Sequence, residues 1–271
     1  MMYWIYDYPS WAIGLLFVVV FVGVTWVGIF ATRATVHSWI HKETRANEMV
    51  DSALSSFLVL FGLLLGLVAV ATYQNYSSVG DIVDKEASSI AALYRDFGAY
   101  PQPIRDRLRD RLREYARHTI EDGWPQQRQG IIPAGGSERI TMLSEVLLVF
   151  EPSKSSEEII HTEAVREFNR LVELRRSRLA NVSLGLPAAL WWVVAWSALL
   201  NIVLIWLQDM EIHVHLILGG VLASVLALFI FLIAALDNPF RGKVSIGPDS
   251  IALVYETLMK PGVMPKQPEP K

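Results

Sequence analysis

Two histidine pairs and one uncharged stripe of small residues are the groups in this sequence whose type and spacing suit chemistry. His37 and His41 stand four apart, so a helix aligns them, and His213 and His215 flank a single residue. Asp209 and Glu211 lie beside the second pair. Imidazoles and carboxylates grouped in this way suit zinc or copper. The alternative is four ordinary interfacial histidines that hold no metal. The stripe consists of Ser52, Ser55, Ser56, Val59, Gly62, Gly66 and Tyr73, recurring at three- and four-residue steps in SALSSFLVLFGLLLGLVAVATYQNY. A helix places these on one face, with Leu63 beside them. In a membrane helix such a face has two readings, and in a ring of subunits both hold together, with the glycines against a neighbour and Ser55, Ser56, Val59 and Leu63 toward the axis. It is a contact seam, since Gly62-xxx-Gly66 is the small-xxx-small pattern that lets helices approach closely. Or it is a water-facing wall, whose Val59 and Leu63 gate by dewetting.

Other chemistry is missing from the chain. The absence of cysteine excludes disulfides, thiolate metal sites and a cysteine nucleophile. No Walker loop, GxSxG elbow, GxGxxG turn or HExxH helix occurs, so enzymatic activity is not expected and no cofactor is implied. GIIPAGGSER is glycine-rich but has neither a preceding strand nor a suitably placed lysine, and reads as a loop. A net charge of −3 gives no electrostatic case for nucleic acid.

The elements that must position the stripe are membrane helices. Apolar residues gather into four uncharged runs, about 11–32, 52–76, 187–207 and 216–236, each near the roughly 20 residues that cross a bilayer. The first ten residues lack the basic stretch of a signal peptide. The run behind them reads as a retained span, with Tyr3, Trp4, Tyr6 and Tyr8 at headgroup level. No Asp, Glu, Lys or Arg lies inside a span, which argues against an ion-coupled transporter. Asn201, the one strongly polar side chain in the third span, is expected to bond a neighbouring helix.

Basic residues set the orientation. The loop between spans three and four has none, and Arg33, Lys42 and Arg45 lie between spans one and two. Lys85, Arg170, Arg175, Arg176, Arg178, Arg241 and Lys243 lie on the opposite side. That side is expected to be cytoplasmic, with both termini and the long middle segment.

The expected organisation is a first membrane hairpin over 1–74, a helical cytosolic domain over 75–186, a second hairpin over 187–236, and a C-terminal turn, short helix and disordered tail over 237–271. Span two is expected to run on without a break to Phe97, because no proline intervenes. Six arginines line the polar faces of IRDRLRDRLREYARHTIEDGW, but Asp106, Asp110 and Glu114 are interleaved at ion-pair spacing. A solvated face or an intersubunit seam is therefore expected there rather than a phosphate site. The Arg175–Arg178 cluster reads as a topology anchor at the inner headgroups.

The motifs LLLGLVAVATYQNY, EAS at Glu86–Ser88, ALYRDF at Ala92–Phe97, REYARHTIEDGWP at Arg113–Pro125, RRSRL at Arg175–Leu179, LPAALWW at Leu186–Trp192 and DNPFRG at Asp237–Gly242 carry, in this order, a resemblance to the bestrophin-like integral membrane family of bacteria and plants. The family's name points to bestrophins, pentameric anion channels with four spans, cytosolic termini and a pore lined by the second span. The resemblance singles out Glu86, Tyr94 and Arg95 on the extension of span two, and Asp237 at the inner end of span four. These form either a structural joint, with Glu86 paired to an arginine of a neighbouring helix, or a cytosolic mouth. Two features depart from bestrophins: no proline lies near SSFLVLFGL, the stretch that resembles the apolar neck of their second span, and no acidic run follows span four, so a calcium clasp is not implied.

The expectation is thus an all-α membrane protein of the bacterial inner membrane, assembled with copies of itself, by analogy as a pentamer, and in contact with lipids and ions. Its expected function is passive ion flux, with anions favoured. The alternative is a non-conducting scaffold or sensor whose cytosolic domain binds a partner or lipid.

Overall fold

The computed structural model describes residues 6–40 and 45–260. His41, Lys42, Tyr3, Trp4 and the proline-rich tail lie outside them. The described residues are helical, without strands, and divide into two compact units. The first comprises residues to Tyr76 with Gly185–Asn238 and Gly242–Val244. The second comprises Ser77–Leu184 with Pro239–Arg241 and the chain from Ser245 on. One unbroken helix, α2 (Ala46–Asp96), contributes to both.

The first unit contains α1 (Ser10–Ile40), the apolar part of α2, α7 (Ala188–Trp206) and α8 (Ile212–Leu236). All four helices are long and apolar enough to cross a membrane. Glycines let α1 meet α7 and α8. A Cβ on Gly28 would fall 1.9 Å from the Trp206 indole, and one on Gly14 would fall 3.3 Å from Phe231. Gly219 sits against Ile29, Ile205 and Thr25, and Gly220 against Trp26. The indoles are held in turn by backbone carbonyls, Trp206 Nε1 donating to Thr25 O at 3.1 Å and Trp26 Nε1 to Leu216 O at 3.0 Å. Phe61, Leu65 and Val68 of α2 pack with Val194, Ala198 and Ile202 of α7 and Leu226, Ile230 and Ile233 of α8. Asn201 is buried, and its Oδ1 has no hydrogen-bond partner among the described residues.

The second unit is built around the distal half of α2, with α3 (Ile104–His118), a π-helical turn at Thr119–Gly123, α4 (Trp124–Arg128), α5 (Gly136–Leu148), α6 (Ser155–Ala180) and α9 (Asp249–Val254). Val79, Val83, Ala87, Ile90, Leu93 and Phe97 follow the helical repeat and share a core with Leu108, Leu112 and Tyr115 of α3. The arginine face of α3 carries short-range pairs, Arg111 with Glu114 at 3.1 Å and Arg113 with Asp110. Arg113 Nε also donates to the Met259 carbonyl at 2.8 Å.

Candidate functional site

The face of α2 that packs in the first unit consists of Leu54, Phe61, Leu65, Val68 and Thr72. At about 100° per residue these positions lie roughly opposite the small stripe. Ser52, Ser55, Ser56, Val59, Gly62, Leu63 and Tyr73 are all exposed, and Gly66 is half-exposed. Val59 is 72% exposed, and a Cβ on Gly62 or Gly66 would meet no atom within 4 Å. The stripe is therefore not a packing seam within one chain. That task falls to Gly14, Gly28, Gly219 and Gly220. The same side of α2 runs on through Ser77, Asp81, Asp84, Ser88 and Arg95, all exposed. The exposed stripe thus reads serine-rich, then small and apolar without charge, then polar and charged.

The two ends of the first unit are fastened by different polar sets. At one end, Asn47 and Asp209 exchange bonds, Asp209 N–H to Asn47 Oδ1 at 3.1 Å and Asn47 Nδ2 to Asp209 O at 3.3 Å. Gln208 donates to Asp51 at 2.9 Å, and His37 Nδ1 lies 3.2 Å from both Asp209 carboxylate oxygens. His215 is buried with Nε2 2.9 Å from the Ile205 carbonyl, whereas His213 is exposed. His41 lies outside the described residues. Among the described residues no group of three or more His, Cys, Asp or Glu is placed to hold a metal. His37 and His215 are instead engaged in helix-end contacts.

At the other end, DNPFRG meets LPAALWW. Asp237 is buried and accepts from the Leu186 backbone N–H at 2.5 Å and from Trp191 Nε1 at 3.2 Å. Leu186 precedes the Pro187 that opens α7, so the carboxylate of the residue after α8 ties down the start of α7. Asn238 donates to Tyr6 Oη at 2.8 Å, which itself donates to the Ala234 carbonyl at 2.7 Å. Gly242, at φ 82°, leaves room for the Tyr6 ring.

The second unit holds a buried polar cluster. Glu86 is fully buried, and Arg178 grips it in bidentate fashion, Nε to Oε2 at 2.6 Å and Nη2 to Oε1 at 3.0 Å. Tyr115 Oη donates to Glu86 Oε1 at 2.7 Å, and Arg178 Nη1 donates to Gln127 Oε1 at 2.7 Å. The Arg178 guanidinium also lies 5.0 Å from the Trp124 ring centroid. Burial disfavours the Arg178 charge, but the Glu86 carboxylate and its hydrogen bonds outweigh this and raise the pKa above the ordinary arginine range. Burial, and then the Glu86 charge, push the Tyr115 hydroxyl upward.

One expectation is corrected here. Arg175 and Arg178 are not headgroup anchors: both are buried, because they continue the Ala164, Phe168 and Leu171 face of α6. Glu86 is paired to an arginine of a neighbouring helix, Arg178 of α6, and both residues belong to the helical unit. Tyr94 is half-buried and stacks with Arg109, 4.8 Å away, while its hydroxyl accepts from Arg113 at 3.1 Å. Arg95 is exposed. Gln127, Tyr115 and Trp124 were not singled out from sequence. The helical repeat marks Tyr115 as apolar-facing but does not reveal the carboxylate that meets it.

The chain matches the Bestrophin-like domain over residues 16–251 and belongs to that family. No curated protein matches it in sequence at a significant level. Its fold is similar to crystal structures of a bacterial Bestrophin homolog from Klebsiella pneumoniae. A tyrosine-to-alanine variant of that homolog aligns with a TM-score of 0.68 at 10% identity, covering 89% of this chain and 97% of the other. A leucine-to-threonine variant aligns with a TM-score of 0.67 at 11% identity over 90% and 97%. A proline-to-alanine variant of a membrane protein aligns with a TM-score of 0.68 at 10% identity over 90% and 97%. At these identities the likeness establishes a shared fold.

Proposed function

We propose that this protein is an oligomeric channel for passive ion flux, anions in particular, whose second span lines and gates the pore. The exposed stripe of α2 carries the reading. It is uncharged over the length of a bilayer, lies opposite the packed face, and is open at Gly62 and Gly66. In a ring of chains, by analogy a pentamer, Ser52, Ser55 and Ser56 face one mouth. Val59, Gly62, Leu63 and Gly66 form an apolar neck, and Tyr73 lies toward the other mouth. The family supports this, since its characterised members are ion channels rather than enzymes. The absence of charge within the spans suits passive flux. We infer a location in the bacterial inner membrane, and the distribution of basic residues favours an orientation with both termini and the helical unit in the cytoplasm. Glu86 then holds the helical unit together, and Arg95 lies on the cytoplasmic continuation of the stripe.

Purified protein in planar bilayers under a potassium chloride gradient tests this. Unitary currents reversing toward the chloride potential support it. A stable oligomer that passes no current favours the scaffold reading, for which the exposed Leu148, Val149 and Ile159 of the helical unit would serve as partner contacts.

A further inference from the structure

Ile131 and Ile132 stand side by side in the loop between α4 and α5, 51% and 57% exposed. Single exposed apolar residues are ordinary. Here two adjacent ones are held outward by a turn that is itself fixed. Gly130 N–H donates to the Gln127 carbonyl at 2.8 Å, and Ile131 N–H to the Gln126 carbonyl at 3.0 Å. Gly130 has φ 73°, and a Cβ there would overlap Arg241 Nη2, so the turn needs glycine twice over.

The contacts of this loop place it near the end of a membrane span. Arg241 Nη2 donates to the Gln129 carbonyl at 2.6 Å. Trp124 Nε1 donates to the Ile246 carbonyl at 3.1 Å, and its ring meets that of Phe240 edge-on at 5.8 Å. Ile246 N–H donates to the Pro239 carbonyl at 2.8 Å. All of these residues belong to the helical unit. The segment that begins at Pro239 is chain that has just left α8, the fourth span, at Leu236. Five residues separate Leu236 from Arg241, at most about 18 Å of extended chain. The stretch is bent and turned rather than extended, so the real span is shorter. The covalent chain therefore keeps the loop close to the membrane surface at which α8 ends.

The charges favour a lipid surface there. No acidic residue occurs from Gly123 to Ser137 or from Asn238 to Pro248, whereas these stretches hold Arg128, Arg241 and Lys243. Arg128 and Lys243 are exposed. Asp122, just outside, lies 2.8 Å from His118 Nδ1. Two exposed isoleucines alone would suit a second copy of the chain equally well. The tether to a span end and the basic surround favour lipid.

We propose that the loop of residues 130–133 dips into the lipid surface at which α8 ends. Ile131 and Ile132 sit at the boundary of headgroups and acyl chains, and Arg128 and Lys243 lie against anionic headgroups. The contact is independent of conduction. It fastens the helical unit to the bilayer at a point other than its covalent connections. The turn is bonded to the Gln127 backbone, and the Gln127 side chain holds Arg178, so lipid at the loop bears on the buried Glu86 cluster.

The chain has no cysteine, which makes single-site labelling clean. Full-length protein carrying Ile131→Cys, Ile132→Cys or Ser156→Cys is labelled with an environment-sensitive fluorophore and reconstituted in nanodiscs of phosphatidylcholine and phosphatidylglycerol. Ser156 is exposed at the start of α6, the end away from α7, and serves as the water-facing control. The expected result at both isoleucine positions is quenching by a nitroxide carried high on a lipid acyl chain, with protection from aqueous iodide. Ser156 is expected to show the reverse. Arg128→Gln is expected to weaken insertion by about fivefold, the usual share of one basic side chain at an anionic surface. Iodide quenching without nitroxide quenching at Ile131 and Ile132 overturns the proposal. Protection from both quenchers also overturns it, because a second copy then covers the loop. Equal nitroxide quenching with and without phosphatidylglycerol overturns the assignment of Arg128 and Lys243 to anionic headgroups.

Discussion

Glu86 and Arg178, 92 residues apart in sequence, meet as a fully buried bidentate ion pair. The carboxylate also accepts from Tyr115, and the guanidinium also donates to Gln127. This one contact draws together the distal part of α2, α3, α4 and α6. Truncating one partner leaves a buried charge, so Arg178→Met is expected to cost roughly 3–5 kcal/mol. Glu86→Gln combined with Arg178→Met is expected to recover part of that loss. A double-mutant cycle read by thermal melting in detergent measures the coupling, and additive losses would show that the two side chains do not act as a pair.

Tyr115→Phe removes one charge-assisted hydrogen bond while keeping the ring. The expected loss is about 1.5–3 kcal/mol, smaller than that of Arg178→Met because Glu86 keeps its guanidinium. Melting curves of the two variants, measured side by side, check the order.

Asp237 ties the start of α7 to the end of α8 through Leu186 N–H and Trp191 Nε1. Asp237→Ala leaves both donors without an acceptor, with an expected cost of about 1–3 kcal/mol. Asp237→Asn retains an acceptor oxygen and is expected to be milder. Equal melting of the two variants would mean that the carboxylate oxygens are not what holds this turn.

The glycines separate packing from pore. Gly28→Ala drives a methyl into the Trp206 indole and is expected to destabilise by roughly 1–3 kcal/mol, as overpacking does. Gly62→Ala and Gly66→Ala meet nothing within the chain and are expected to leave the fold intact. Light scattering then reports the assembly: an unchanged oligomer in Gly62→Ala fits a water-facing wall, and dissociation fits a seam between copies.

The membrane helices, the unbroken α2 and the common face of the small residues were legible because each is a local pattern: an uncharged run, a missing proline, a three-to-four repeat. The periodicity could say that Ser52, Val59 and Gly62 share a face, but not that Phe61 and Leu65 would take the packed side. The headgroup expectation for Arg175 and Arg178 fails for the same reason. Charge near a span end favours headgroups on average, and only the fold brings Glu86, far away in sequence, to meet Arg178. In the sequence the histidines group as a set because two loops share a side. In the structure, His215 turns inward to the Ile205 carbonyl while His213 stays exposed.

The central claim is that the exposed stripe of α2 faces a pore whose apolar neck limits flux. Chloride efflux from liposomes carrying wild-type protein, Val59→Ser or Leu63→Ser tests it most directly. Efflux is expected to rise severalfold in both variants with the oligomer intact, because a hydroxyl wets the neck. Efflux equal to wild type from normally assembled variants would contradict it.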